Sequence, residues 1–542
     1  MQDIRAKLIY SGYFISYFLG VIILLPPESF HIKMLLILTG LTFLMSYGRY
    51  TIRVSSPILL FLILMWLSAG FLLPLKYKTF LCHFYFLFLI LSILPLESGK
   101  ILKISIWALL VISVVGLLQA FSIIPAPVDN YGYRDFSSVM GLSNYSAHYI
   151  GPLLIPVIWY GIRDKKWLWI LTSAFTLIYL ILIKNRALLF ALWGTLLFVL
   201  ITLRNRKLRV LSIFIYAIIS IALIFSPPVK KIISLKDYSA RFRYFTYIDT
   251  LKLILHHPLG VEGRFEETFP EYISYQFDKQ LYTSHTYVNN PHSELLYWGA
   301  DFGIIGILFY LFLWFQVLKK FFRSGDKVIT LGLLTALFQS LVDFNFHTPA
   351  GGLIFFSLYF STAEEPIRVI KSKTFTAAAL TFMTFCIFLS VLLSYGEFMY
   401  RTGKFFLSEG KRKVALQYFK KSLEVWPYNW NALTLEGLIY KKLGFYELAE
   451  EKLSLAIRYN PAEVTAMKHI GIIFARKGEI DKTFKIWLRA MKYSPYQRVK
   501  IARKLVKLLV KTGKYEKLKE IATKFPQLLE KVPELRYYLK KQ

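Results

Sequence analysis

The sequence is short of cysteine, of acidic residues and of charge altogether. Its two cysteines, Cys82 and Cys386, both lie in long apolar runs, and there is no Cys-x-x-Cys pair. That argues against a disulfide scaffold and against a cysteine zinc site. Only 33 Asp and Glu stand against 66 Lys and Arg, a net charge of +33 over 542 residues, and 18% of the chain is charged. Soluble domains average about 25% charged residues, so one soluble globule is excluded. A content of 56% hydrophobic and 17% aromatic residues excludes disorder as well. The basic excess suits a membrane protein, whose Lys and Arg collect on cytoplasmic loops and near lipid phosphates.

About thirteen apolar stretches approach the length that crosses a hydrocarbon core of about 30 Å. They run roughly over 7–25, 34–47, 57–74, 79–95, 102–121, 147–162, 167–183, 187–203, 209–226, 295–318, 328–345, 350–361 and 374–395. The 350–361 stretch is short. The first is not read as a cleaved signal peptide, because it lacks a small-residue cleavage site and further spans follow at once. With the N-terminus in the cytoplasm, the inner loops carry Arg49 and Arg53, Lys100 and Lys103, and Arg163, Lys165 and Lys166. Further on they carry Arg204 to Arg209, Lys319 to Lys327, and Arg368 to Lys373. This is a positive-inside pattern, with Lys76 and Lys78 as exceptions. It puts two longer segments outside, about 122–146 and 227–294, and an odd number of spans puts everything after about 396 outside too.

From about 396 the pattern changes to a repeat. Pro427, Pro461 and Pro495 are 34 residues apart, and so are Gly403, Gly437 and Gly471. The middle unit places Leu433, Gly437, Tyr440, Ala449, Leu453, Ala456 and Pro461 at the small and large positions of a tetratricopeptide repeat. The next matches with Met467, Gly471, Phe474, Trp487, Ala490 and Pro495; the first is partial. Small residues let paired helices approach, large ones fill the groove, and Pro ends the second helix. The region carries 32 basic and 14 acidic residues, a net +18, either a solvated spacer or a docking surface for a protein or an acidic glycan. The expected fold is therefore all-α: a polytopic helical membrane domain of about 12–13 spans over 1–395, then a helical-repeat solenoid over 396–542.

Polar groups set against the expected membrane mark four places. His292 ends the large outer loop in Asn289-Asn290-Pro291-His292-Ser293-Glu294, where an imidazole can act as general base near neutral pH. Arg241 and Arg243 precede His257-Pro258-Leu259-Gly260, and an arginine fork suits a phosphate or pyrophosphate; interfacial snorkelling is the plainer reading. Arg186 opens a span on the outer side, against the charge bias, and an anionic ligand would explain it. Asn144 and His148, and Asp343, Asn345 and His347, lie at other outer span ends. Asp343 reads best as structural glue, facing an arginine or His347. Together these residues suit a reaction on a lipid-linked anionic substrate at the outer leaflet.

These blocks resemble the O-antigen ligase and O-antigen polymerase superfamily of bacterial membrane glycosyltransferases. The resemblance rests on Gly141–Asn144, on Arg-Ala-Leu-Leu at Arg186, on Arg-x(14)-Pro-Leu-Gly from Arg243 to Gly260, and on Asn-x-Pro-His-Ser-Glu running into Gly303 and Gly306. Val342–Ala350 looks like members that also carry C-terminal tetratricopeptide repeats. The resemblance implies a helical membrane domain with the loop 227–294 over the active site. It implies glycan transfer from an undecaprenyl-diphosphate carrier to an acceptor of lipid A-core type, at the periplasmic face of the inner membrane, with no metal and no cofactor. Arg186 and Arg243 would then hold the diphosphate, with Arg241 as the neighbouring candidate, and His292 would activate the acceptor. Asn144, His148, Glu294, Asp343 and His347 would support them. The family often has Asn where Ser293 stands, which leaves the acceptor more open than the donor.

The implied partners are the lipid-linked glycan, an acceptor lipid or protein, the bilayer, and a protein on the repeats; a nucleic-acid partner is excluded by the spans. A polysaccharide polymerase and a protein O-oligosaccharyltransferase are the enzyme alternatives. A lipid-linked glycan transporter and a repeat-bearing scaffold are the non-enzyme ones. A transporter would more often place charges at mid-membrane and repeat its spans, and neither pattern is evident here.

Overall fold

In a computed structural model of the chain, the described residues are 96–124, 138–140, 143–261, 264–273, 290–323, 327–362, 368–370 and 373–541. Tyr50–Ile52, Ile37, Leu91, Val288 and a few residues between Tyr10 and Phe18 complete them. The expected spans 34–47, 57–74 and 79–95, most of 7–25, Cys82 and the motif residues Gly141 and Asn289 lie outside the described residues.

Helices make up nearly all of the described structure. Among the described residues the one sheet is an antiparallel pair of three-residue strands, β1 (Tyr50–Ile52) and β2 (Arg368–Ile370), with Thr51 opposite Val369. The chain divides into two compact units. One comprises residues 1–73, 77–236 and 292–391; the other comprises 74–76, 237–291 and 392–542.

In the first unit the helices are α1 (Ser98–Ala120), α2 (Ser143–Arg163), α3 (Trp167–Ile183), α4 (Arg186–Ile201), α5 (Arg206–Phe225) and α6 (Pro227–Ile233). The second unit holds α7 (Tyr238–His256) and α8 (Phe265–Thr268). The chain then returns to the first unit with α9 (Glu294–Arg323), α10 (Lys327–Ser340) and α11 (Pro349–Ser361). Among the described residues, α1 (23 residues), α5 (20) and α9 (30) are long and apolar enough to cross a membrane. Helices α3, α4, α10 and α11 are apolar but shorter, and the 13 residues of α11 reach only about 20 Å at 1.5 Å per residue. The apolar stretch expected over 328–345 is a helix only to Ser340, after which the chain turns into a loop.

Apolar residues alone do not hold these helices in register. Hydroxyl pairs cross between them: Ser113 with Thr176 (2.9 Å), Thr195 with Thr335 (3.0 Å) and Tyr310 with Ser340 (2.7 Å). Such bonds locate one helix against another where the hydrophobic effect gives no direction. Helix α5 has no buried residue, and Leu211, Phe214 and Ile218 on it are exposed. Tyr216 of α5 stacks on Trp193 of α4 with ring centroids 4.5 Å apart, and the apolar remainder of the helix, left exposed, suits lipid.

The helix α12 (Lys373–Ser408) begins in the first unit and ends in the second as the first helix of the repeats. Four helix pairs follow the tetratricopeptide pattern: the end of α12 with α13 (Arg412–Val425), α14 (Trp430–Leu443) with α15 (Tyr446–Tyr459), α16 (Val464–Arg476) with α17 (Ile480–Tyr493), and α18 (Pro495–Lys511) with α19 (Glu516–Lys524). Two short helices, α20 (Leu528–Lys531) and α21 (Pro533–Lys540), close the array by covering Leu509, Leu518 and Ile521. At Gly471 a methyl group would lie 2.0 Å from Nε1 of Trp487, so only glycine lets α16 lie this close to α17. In that position Trp487 donates to the carbonyl of Lys468 at 3.0 Å. The turn glycines Gly410, Gly444 and Gly478, at φ of 75°, 89° and 78°, repeat at the same interval between the helices of a pair.

Candidate active site

Within the first unit, three side-chain links tie together the motif-bearing stretches. The first joins the starts of α2 and α4. Asn185 caps α4 by accepting from the Leu188 amide (2.8 Å), and its Nδ2 donates to Oδ1 of Asn144 (2.8 Å). The amide pair, buried at Asn185 and half-buried at Asn144, therefore sets the start of the helix whose first residue, Arg186, has its side chain exposed. The second link is His148 on α2, fully buried. Its Nε2 lies 3.2 Å from Oδ2 of buried Asp343, and its Nδ1 lies 3.3 Å from Oγ1 of Thr348. The expected glue role of Asp343 thus has a different partner: His148, with His347 taken elsewhere.

The third link is Glu294, the first residue of α9 and fully buried. Its Oε1 accepts from the amides of Phe346 (2.6 Å) and His347 (3.1 Å). Its Oε2 lies 2.7 Å from Nδ1 of His347 and accepts from Nε1 of Trp298 at 3.0 Å. The Glu294 amide itself donates to the carbonyl of Asp343 at 3.2 Å. Four donors on one carboxylate clamp the 343–348 loop onto the start of α9. Tyr297 stacks on His347 with ring centroids 3.8 Å apart. A buried carboxylate is tolerable only with such a full set of partners.

His292 stands two residues before this clamp. Its backbone has φ of 54°, a left-handed conformation that histidine rarely adopts. Its ring meets the edge of Phe344 at 5.5 Å, and the other face of the contact set is His148, 5.6 Å from the same Phe344. Phe344 thus packs against both the half-exposed histidine and the buried one. Strain of this kind persists where surrounding structure holds it, as at functional sites. Downstream, α9 kinks at Gly303 (φ 61°, ψ −142°), and buried Asp301 lies in that bend.

The other unit carries Arg241 and Arg243, half-buried on α7, which Asp237 caps through the Ala240 amide at 2.9 Å. After α7, Nε2 of His257 lies 2.9 Å from the Tyr272 hydroxyl, and Glu271 forms an ion pair with Lys492 of α17. This segment is thereby fastened to the second helix of a repeat.

Asn185, Thr348, Phe344 and Trp298 belong to these links and escaped the reading of the sequence. Asn185 had a signal, an N-cap residue type directly before the helix of Arg186. Phe344 and Trp298 had none, being aromatics in an aromatic-rich chain. Among the described residues, no three His, Cys, Asp or Glu side chains converge as a metal site requires.

Residues 153–311 match the family described as O-antigen ligase. The matched span holds Arg186, Arg241, Arg243, His292 and Glu294, while Asn144, His148, Asp343 and His347 fall outside it. The chain is also 35% identical over 79 residues to the BBSome complex member BBS4 of Bos taurus, a match spanning 15% of each protein. A structural likeness exists to the first tetratricopeptide repeat domain of Spaghetti (RPAP3) bound to an HSP90 peptide. It has 19% identity and a TM-score of 0.21, over 22% of this chain and 94% of the other. The family match and the membrane-spanning helices support a membrane protein of ligase- or polymerase-type glycosyl transfer.

Proposed function

We propose, from the O-antigen ligase match as premise, that the chain transfers a glycan from an undecaprenyl-diphosphate carrier to an acceptor of lipid A-core type. The reaction takes place at the periplasmic face of the bacterial inner membrane. The observation that carries this is the linked set at the helix starts: Asn144 to Asn185 beside Arg186, His148 to Asp343, and Glu294 to the 346–347 amides just after His292. The polar investment of the first unit converges on the segments that bear Arg186 and His292.

In the proposed mechanism, the acceptor hydroxyl attacks the anomeric carbon of the donor sugar. His292 takes the hydroxyl proton as that oxygen becomes nucleophilic. The bond from the anomeric carbon to the phosphate oxygen breaks, and its electron pair leaves with the diphosphate. Arg186 and Arg243, with Arg241 as neighbour, bind the diphosphate and stabilise the charge that grows on it. Glu294 and His148 act as positioning residues through the 343–348 loop.

The division into a membrane domain over 1–395 and repeats over 396–542 belongs to the same proposal, supported by the 34-residue period that starts on the last turns of α12. The repeats are assigned to the face that holds the 237–291 segment. That is supported by the clustering of this segment with the repeats in one compact unit and by the Glu271–Lys492 pair.

The test is transfer by the purified chain in detergent with EDTA, offering lipid A-core and a repeat-unit acceptor. Product on lipid A-core from wild type, lost in His292→Ala and Arg243→Ala, is the expected result. Growth of the glycan on its own carrier would make the chain a polymerase. Transfer to a protein acceptor alone would make it an oligosaccharyltransferase. Full activity in both variants would remove the site assignment, and no transfer to any acceptor would favour a transporter or scaffold.

A further inference from the structure

The start of α1 carries two lysines with different surroundings. Lys100 pairs with the Glu97 carboxylate. Lys103 is exposed, and among the described residues no carboxylate forms an ion pair with it. Beside Lys103 opens a groove of about 620 Å³, between α1 and the described residues of segment 10–18, all within the first unit. Tyr13 ties that segment to α1, its hydroxyl accepting from the Glu97 amide at 3.4 Å. The loop charges start both segments on the same side of the membrane, so Tyr10 and Ser11 come level with Lys103. Phe14 and Phe18 lie deeper, stacked with ring centroids 4.6 Å apart, and Trp107 and Val111 line the α1 side. Phe14 is 41% and Trp107 48% exposed, so the described residues around these aromatics leave the groove open.

Charge, length and hydrogen-bonding capacity select the occupant. Lysine only donates hydrogen bonds, so the charged point must be an acceptor. A zwitterionic headgroup would set its own ammonium beside Lys103, and a singly anionic phosphodiester does not. From Lys103 to Val111, α1 rises about 12 Å, close to half of a hydrocarbon core of about 30 Å. That length takes the acyl chain of a lipid in one leaflet, whereas a polyprenyl chain outruns it. The hydroxyls of Tyr10 and Ser11 line the charged end and suit a headgroup with hydroxyls of its own. Snorkelling to the interface would explain Lys103 alone, but not an apolar groove lined by aromatics directly beneath it.

We propose that this groove binds one anionic glycerophospholipid, its phosphate on Lys103 and an acyl chain between Phe14, Phe18, Trp107 and Val111. This goes beyond the glycan-transfer reading and fails independently of it. The probe is phosphatidylglycerol with a diazirine on one acyl chain, in trace amount, and the full chain sits in phosphatidylcholine nanodiscs. After irradiation, adducts are mapped by peptide mass spectrometry. On wild type the label concentrates on residues 14–18 and 107–111. Unlabelled phosphatidylglycerol displaces it at about fivefold lower concentration than phosphatidylethanolamine, and Lys103→Gln lowers the labelling about fivefold. Val111→Trp, which fills the groove, lowers it too. Lys207→Gln, the same charge change at an exposed position at the start of α5, shifts it less than about twofold. Lys103→Arg retains it and checks that the fold tolerates the site. Label spread evenly over the apolar helices overturns the proposal, as do equal losses in the two glutamine variants or a loss in Lys103→Arg. So does displacement by phosphatidylethanolamine as readily as by phosphatidylglycerol, or by undecaprenyl phosphate at lower concentration than either.

Discussion

The two compact units bury opposite things. In the repeats the interior is mostly Ala, Leu, Met and Trp, as at Ala449, Leu453, Met467 and Trp487, with Glu436 and Arg498 the buried charged residues among those described. In the first unit His148, Glu294 and Asp343 are fully buried and His347 nearly so, each with a named partner. Repeats are held by shape, so every unit uses the same solution and the period shows. The first unit also spends buried polar groups, which are costly unless fully paired and give little net stability over an apolar core. Their use here specifies where particular segments lie: the 343–348 loop, the start of α4 and the residue before α9.

The strongest break of this comparison is Glu294→Ala. It leaves the amides of Phe346 and His347, the Trp298 indole and the His347 ring without their shared acceptor. A loss of about 3–5 kcal/mol is expected for removing one member of a buried charged set. The measurement is the unfolding of the detergent-purified chain by calorimetry, and the repeat transition is expected to stay in place. If both transitions shift together, the two units are not energetically separate.

Gly471→Ala tests the other side. Its methyl would push Trp487 off the backbone of α16 and break the bond to the Lys468 carbonyl. Overpacking of this kind costs about 1–3 kcal/mol. The loss should appear in the repeat transition alone. Glycan transfer to lipid A-core should hold if the repeats only recruit, and fall if they also position the 237–291 segment.

Asn144→Ala is milder. It removes one hydrogen bond to Asn185 but leaves the cap on Leu188, so about 1 kcal/mol of stability is at stake. A fall in transfer larger than this small loss explains would show that the amide pair positions Arg186. Unchanged transfer would reduce the pair to helix packing.

The same contrast explains what was legible in the sequence. The repeats were, because a glycine and a proline every 34 residues report a packing geometry that is the same in each unit. The helix starts at Ser143, Arg186 and Glu294 fall within about four residues of the apolar boundaries expected for them. The polar residues that matter in the first unit were also visible, since a histidine or carboxylate in an apolar run stands out. Their pairing was not. His148 and Asp343 are separated by most of two hundred residues, and nothing in either segment prefers the other over His347. Sequence separation hides the choice, and Phe344, which packs against both His148 and His292, carries no polar mark at all. The attachment of Glu271 to Lys492 was hidden for the same reason.

A further expected effect is a pH slope, and it belongs to the repeats. Burial, then Lys441, Lys468, Lys504 and Lys442, push the His469 imidazole down from 6.5 to about 3. As pH falls below about 6.5 the unfolded chain takes up this proton and the folded repeats do not, so the unfolded state binds more protons and stability declines. The decline runs from near neutrality to about pH 3 and then levels. Asp481 has the same sign in a lower window. Hydrogen bonds from Lys514 and Lys517 bring its carboxylate from 3.8 to about 2, so its contribution is intact above about pH 4 and is lost as pH falls through 2. Melting of the repeat transition at pH 7.5 and at pH 5 therefore isolates His469. A lower melting temperature at pH 5 is expected, with the difference shrinking in His469→Gln. An unchanged difference in that variant would mean that these four lysines do not control this imidazole, and that the crowding of positive charge along the first helices is relieved in solution by movement of the lysines.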